Sequence, residues 1–251
     1  MLFRSVATLV VCRRPCVALF STGDELVMPG AVAPEALPPG AIYNSNRFML
    51  RGLLQAMGCE VQDMGIVPDR LDATRTALRN AAANNDLILS AGGVSVGEED
   101  HVRPAVAAEG RIAIWQVAIK PGKPLAFGAV LRERGGTALF VGLPGNPVSA
   151  FVTFLVAVVP LLQALQGGTG AAPVPLLLRA DFNWPRPDRR REFLRVRRNA
   201  HGGLDLFPNQ SSGVLTSTTW ADGLVDNAPG QAIACGDAVP FLPMEALIAS
   251  R

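Results

Sequence analysis

Residues 86–93 read DLILSAGG. The run is apolar without a break and stops at a pair of glycines. It fits a strand buried on both faces, as parallel strands usually are. Working outward, residues 70–84 have a helical pattern, and CEVQDMGIV before them alternates like a strand. Further upstream, Asn44 and Ser45 are placed to cap a helix through RFMLRGLLQAMG, which Gly58 ends. CVALFST (16–22) is an apolar, β-branched run that stops at Gly23. Downstream, a helix is expected from about Asp100 to Ala108. IAIWQVAI, PLAFGAVL and TALFVGL follow as strands, and an apolar helix begins after Pro147. Strands and helices alternating in this way predict an α/β fold, a three-layer α/β/α domain with a mainly parallel sheet.

The composition changes at QGGTGAAPVP, where glycine, alanine and proline read as a linker. Beyond it lie short alternating runs such as EFLRVRR and QAIACGDAVPFLP, with no convincing helix. The expected division is an α/β domain over residues 16–168, a linker over 169–175 and a small all-β domain over 176–251. Residues 1–15 are expected to be a strand leading in, or the remnant of a missing domain. The opening apolar stretch is short and lacks a small-residue cleavage site, unlike a signal peptide.

The chain has 251 residues, enough for one large domain or two ordinary ones. With 49% apolar residues a sizeable core can form. A net charge of +2 is too balanced for a general nucleic-acid binder. Cys12, Cys16, Cys59 and Cys235 form no CxxC pair and no zinc spacing, which fits a reducing cytosol. AFVTFLVAVVPLLQAL, from Ala150, is shorter than the roughly 20 residues of a bilayer helix and contains Pro160, so it reads as a buried helix. No internal repeat is present, and His101 and His201 have no partner in the sequence pattern.

Ligands of parallel α/β sheets bind beyond the carboxyl ends of the strands, and the chemically suggestive residues fall there. STGDEL (21–26) offers two carboxylates, Asp24 and Glu25. They are either solvated turn residues or a pair holding a metal ion or polar substrate. In SAGGVSVGEED (90–100), Gly92 and Gly93 allow backbone N–H groups close to a phosphate, and Ser95 adds a hydroxyl. A tight turn would need the same glycines. Glu98, Glu99 and Asp100 then open a helix, where acids suit the dipole. In GLPGNPVSAF (142–151), Pro147 fits a first helical turn with Asn146 as cap, and Ser149 lies where anions bind. IKPGKPLAFG (119–128) holds Lys120 and Lys123 on a chain stiffened by Pro121 and Pro124, an arrangement suited to gripping an anion. RPDRRREFLRVRR (186–198) reads as a solvated basic face; RNA binding stays open, although no aromatic stacking pattern accompanies the run.

The order and separation of these four motifs resemble the molybdopterin molybdenumtransferase family, which includes bacterial MoeA and the E domain of gephyrin. The resemblance runs from about Arg13 through the linker and, more weakly, into REFLRVR and NQSSGVL. It implies an enzyme that takes adenylylated molybdopterin and molybdate, assisted by Mg²⁺, and releases AMP and molybdenum cofactor. By the same resemblance Lys120, Lys123 and Ser149 would hold molybdate, with Arg191 or Arg195 and Ser212 reaching in from the tail. Gly92, Gly93, Val94 and Ser95 would receive the pterin's phosphate. Glu25 and Asp100 would be the catalytic acids, and Asp24, Glu25 and Asp100 the metal set. A cytoplasmic homodimer and a molybdopterin adenylyltransferase as pathway partner are implied too, with neither nucleic acid nor membrane. The family carries two more N-terminal domains, one of which builds the active site across a dimer, whereas this sequence begins just before the α/β domain. Gln116 stands where many relatives have a basic residue. Two alternatives stay open: an adenylyltransferase-like enzyme, which would consume ATP, and a non-catalytic molybdopterin-binding or scaffold module.

Overall fold

The computed structural model describes residues 7–94, 101–168 and 173–248. In chain order the first unit holds β1 (Cys16–Thr22), β2 (Leu26–Val27), β3 (Ile42–Tyr43), α1 (Ser45–Ala56), β4 (Glu60–Val67), α2 (Leu71–Asn84) and β5 (Leu87–Ala91). After these come α3 (Val102–Glu109), β6 (Gly110–Gln116), β7 (Ile119–Lys120), β8 (Pro124–Leu131), β9 (Thr137–Leu143), α4 (Pro147–Thr153) and α5 (Val159–Leu165). Six of the strands form one sheet in the order β4-β1-β5-β9-β8-β6. The first four are mutually parallel, and β8 and β6 add antiparallel at one edge.

Alternation along the buried strands sorts side chains into two cores. Val17, Leu19, Leu87 and Leu89 face Leu50 and Leu54 of α1 and the apolar helix after Pro147. Ala18, Phe20 and Ile88 face Leu78 and Ala81 of α2 and Val102 and Val106 of α3. A strand covered on both faces has no polar face to show, which is why DLILSAGG reads as a continuous apolar run. The cap assigned to Asn44 is present. Its Oδ1 accepts the Arg47 backbone N–H at 3.2 Å, and Gly58, at φ 76°, follows the end of the helix.

The apolar helix runs from Pro147 to Leu165, with one π turn at Phe154–Val158 joining α4 to α5. There the Val159 N–H reaches back to the Phe154 carbonyl. Pro160 supplies the cause: its ring crowds the carbonyl four residues earlier, and it has no N–H to give. By length and composition alone this helix could cross a membrane. Its Val152, Phe154, Leu155 and Val158 are instead buried in the core of the sheet.

The second unit holds β10 (Leu176–Ala180), β11 (Arg191–Arg198), β12 (Gly203–Leu206), α6 (Thr216–Trp220), β13 (Gly223–Asn227), β14 (Ala238–Pro243) and α7 (Met244–Ile248). The order β12-β10-β14-β13-β11, closed by β12 pairing with β11, makes a small barrel. Leu194, Val196, Leu204, Val225, Val239 and Phe241 fill it. The expectation of a tail without helices needs correction, because α6 and α7 are both present. Each has five residues, less than two turns, and a 3.6-residue period leaves no pattern over so short a span. Leu247 of α7 packs into the core of the first unit.

Two further features lay beyond the sequence. Residues 7–15 carry no helix or strand, and Leu9, Val10 and Val11 are exposed. Arg13 anchors this segment through hydrogen bonds of 2.7 and 2.5 Å to the Asp86 carboxylate, which they hold below the usual carboxylate range. Strand β7, inside IKPGKP, leaves the first unit and adds in parallel to β11, with Ile119 beside Arg191 and Lys120 beside Glu192.

Candidate functional site

A cleft of about 780 Å³ opens at the carboxyl ends of β1, β5 and β9. Thr22, Ala91 and Pro144 mark those three ends on its wall. The Gly92 N–H donates to the Leu143 carbonyl at 3.0 Å, pinning the glycine turn to the last strand. Gly92 and Gly93 have φ of 91° and 65°. A Cβ on Gly92 would lie 2.6 Å from the Thr22 carbonyl oxygen, and one on Gly93 would lie 2.5 Å from both Thr22 Oγ1 and Val102 Cγ2. Both positions therefore need glycine for conformation and for space. Across the cleft, Asn46 Nδ2 donates to the Gly145 carbonyl at 2.7 Å, tying α1 to the loop before α4.

Of the residues singled out in the sequence, Glu25, Gly92, Gly93, Val94 and Ser149 line this one cleft. Ser95 and Asp100 lie outside the described residues. Asp24 is exposed, and its Oδ1 accepts the Asp69 N–H at 3.4 Å. Lys123 is exposed beside Pro124, which lines the cleft. The Ser212 carbonyl accepts the Val148 N–H at 2.9 Å, so the barrel occupies one of the orphan donors at the start of α4. Asn146 holds the cap position without a side-chain bond, and Pro147 sits in the first turn.

The remaining basic residues are engaged elsewhere. Lys120 Nζ lies 3.4 Å from Asp188 and 3.2 Å from Glu192. Arg191 pairs with both carboxylate oxygens of Asp226. Arg195 is 1% exposed. Its Nε donates to Ser217 Oγ and its Nη2 to the Ser211 carbonyl, each at 3.2 Å. Among the described residues no carboxylate offsets its burial, which pushes its pKa down to about 10. Arg195 thus holds the loop carrying Ser211–Gly213, and of that loop Gly213 reaches the cleft wall.

Sequence reasoning missed Thr22, Asn46 and Asp69 as lining residues and took Asn44 only as a cap. Asn46 offered one signal: an asparagine two residues past a cap, where the helix has no use for it. Three buried atoms of these cleft residues, Thr22 Oγ1, Asn44 Nδ2 and Asn46 Oδ1, have no hydrogen-bond partner among the described residues. Buried polar groups are normally satisfied, so three such atoms on residues lining one cleft point to a polar ligand.

A glycine turn, a carboxylate and the start of a helix gather at the carboxyl ends of a parallel sheet, where α/β domains bind their ligands. Residues 18–164 match the family described as a probable molybdopterin binding domain, and residues 178–244 match the MoeA C-terminal region, domain IV. The chain belongs to the molybdopterin-binding domain family. It is 44% identical over 162 residues to the molybdopterin molybdenumtransferase of Haemophilus influenzae, covering 64% of this chain and 38% of that protein. The protein of the same name from a Nostoc species is 40% identical over 172 residues, 68% of this chain and 38% of that one. A crystal structure of the molybdopterin biosynthesis MoeA protein from Pyrococcus horikoshii superposes with a TM-score of 0.73 at 28% identity, covering 91% of this chain and 54% of that chain. The matched region thus spans well under half of these two curated relatives.

Proposed function

We propose that this chain works in molybdenum cofactor biosynthesis as the α/β and C-terminal β portions of a molybdopterin molybdenumtransferase. Its two domains would be residues 16–168 and 176–251, joined through 169–175. It would bind adenylylated molybdopterin and molybdate, hydrolyse the adenylate and release AMP as molybdenum joins the dithiolene. The observation that carries this reading is the cleft itself: the Gly92–Gly93 turn, Glu25 and Ser149 come together at the ends of β1, β5 and β9, inside the matched molybdopterin-binding region.

The chain's own groups divide the work. Backbone N–H groups of the turn past Gly92, whose own N–H is held by the Leu143 carbonyl, would cradle a phosphate, in a backbone conformation that glycine allows. Ser149, on the cleft wall, offers a hydroxyl donor for the molybdate dianion. Lys120 reaches that anion only by leaving Asp188 and Glu192, so its contribution is a competition between carboxylate and oxyanion. Among the described residues no three acidic, histidine or cysteine side chains cluster as a metal site. Mg²⁺ commonly takes one or two carboxylates and completes its shell with substrate phosphates and water. Glu25 on the cleft wall fits that donor set, and bound Mg²⁺ would neutralise charge on the phosphoanhydride. Catalysis then rests on positioning and on fixed charge around the phosphate and molybdate.

We also place the protein in the cytoplasm, since its four thiols are all unpaired. We read it as working as a homodimer downstream of a molybdopterin adenylyltransferase. Exposed Leu176, Leu177 and Leu131 offer apolar surface for a second copy. The test is AMP release from adenylylated molybdopterin with Mg²⁺, with and without molybdate. We expect release to rise when molybdate is added and to fall in Glu25→Gln. Release that ignores molybdate, or consumption of ATP in its place, would contradict the reading.

A further inference from the structure

Two amides at the start of α1 are oriented by their own hydrogen bonds in a way that helix formation does not require. Asn44 is 1% exposed. Its Oδ1 accepts the Arg47 N–H at 3.2 Å and the Ser21 hydroxyl at 3.4 Å. Those bonds fix the amide, and the atom left over is the donor Nδ2, which is buried and unpartnered among the described residues. Asn46 is 9% exposed. Its Nδ2 gives one N–H to the Gly145 carbonyl, so the atom left with no partner at all among the described residues is the acceptor Oδ1. Both residues line the cleft.

The polarity of this pair selects a ligand. A bare helix start favours an anion. A phosphate or molybdate oxygen only accepts hydrogen bonds, however, and here it would face Asn46 Oδ1, in a cleft that Glu25 also lines. An uncharged ring edge that offers both an acceptor and a donor satisfies both amides. We infer that Asn44 and Asn46 form the subsite that reads the hydrogen-bonding edge of a fused aminopyrimidinone ring, the pterin of the substrate. They set its orientation, with the ring against α1 and the phosphate against Gly92–Gly93. This rests on the molybdopterin reading of the cleft given above. Adenine carries a comparable edge, and the experiment separates the two.

The variant is Asn44→Ser, which keeps a good helix cap and removes the amide donor. Asn44→Asp is the second variant; it keeps the cap oxygen, turns the free donor into an acceptor and adds a negative charge. The probes are hydroxymethylpterin, which is neutral and has no phosphate, and AMP, both titrated against the full chain. We expect the pterin to bind wild type and to weaken by about tenfold in both variants, as for loss of one buried hydrogen bond. AMP affinity should stay within about twofold in Asn44→Ser. An unchanged pterin affinity, a loss confined to AMP, or an equal loss of both overturns the assignment. Wild type that takes AMP but no pterin also overturns it, while leaving the phosphate contact of the proposed function standing. Failure to bind either probe removes both readings.

Discussion

Gly92→Ala is expected to lower the melting temperature by about 5–20 °C and to abolish ligand binding in the cleft. Two costs add. Gly92 has φ of 91°, where an L-residue is strained by about 1–3 kcal/mol. The new Cβ would also lie 2.6 Å from the Thr22 carbonyl oxygen. That oxygen is backbone and cannot swing aside: Thr22 closes β1 and is held in register with Val67 of β4. Overpacking of this kind costs about 1–3 kcal/mol more, and at this chain length each kcal/mol moves the melting point by roughly 2–4 °C. Gly135 supplies the control. It has a similar φ of 88° but nothing within 4 Å of a Cβ, so Gly135→Ala should show the strain alone. Thermal unfolding followed by circular dichroism compares the two, and equal melting points would mean the turn does not press on β1.

Glu192→Ala is expected to destabilise the chain by about 2–4 kcal/mol and to loosen the joint between the sheet and the barrel. Glu192 is 1% exposed. Its Oε2 accepts from Trp184 Nε1 at 2.8 Å and from the Asp188 N–H at 3.0 Å, while Oε1 faces Lys120. Truncation strands an indole N–H and a backbone N–H and takes one carboxylate from Lys120. The share due to Lys120 is small, because that side chain is 40% exposed and reaches water. Denaturant unfolding measures the loss, and protease cutting near Lys120 should quicken. Arg70→Ala, which breaks a pair with Asp72 exposed at 70% on both sides, should change neither reading. A Glu192→Ala protein as stable as wild type would show that this carboxylate does not hold β7 to β11.

Much of the α/β unit was legible in the sequence because local signals agreed with tertiary burial. CVALFST and DLILSAGG are apolar on both faces, and helices do cover both faces. Asn44 reads as a cap and caps. The glycine turn was legible because φ and close approach both demand glycine. What stayed hidden depends on long-range contact. Nothing near Lys120 in sequence announces that Glu192, seventy-odd residues on, will claim it, or that Ile119–Lys120 will pair with the barrel. Arg191 and Arg195 looked like candidates to reach an anion. The fold gives Arg191 to Asp226 and buries Arg195 under the loop it organises. Helices α6 and α7 were too short to leave a period. Asn46 escaped notice because its meaning lies in which of its two amide atoms is already bonded.

The central claim is that the cleft at the ends of β1, β5 and β9 receives the phosphate-bearing substrate on the Gly92–Gly93 turn and the molybdate beside Ser149. A crystal structure of the chain soaked with AMP and tungstate tests it most directly, since tungstate mimics molybdate and scatters strongly. The account predicts the AMP phosphate against the Gly92–Gly93 turn, and the tungstate on the side of the cleft bounded by Pro124, Ser149 and Gly213. Ordered ligands found only outside the cleft, with the glycine turn empty, would contradict it.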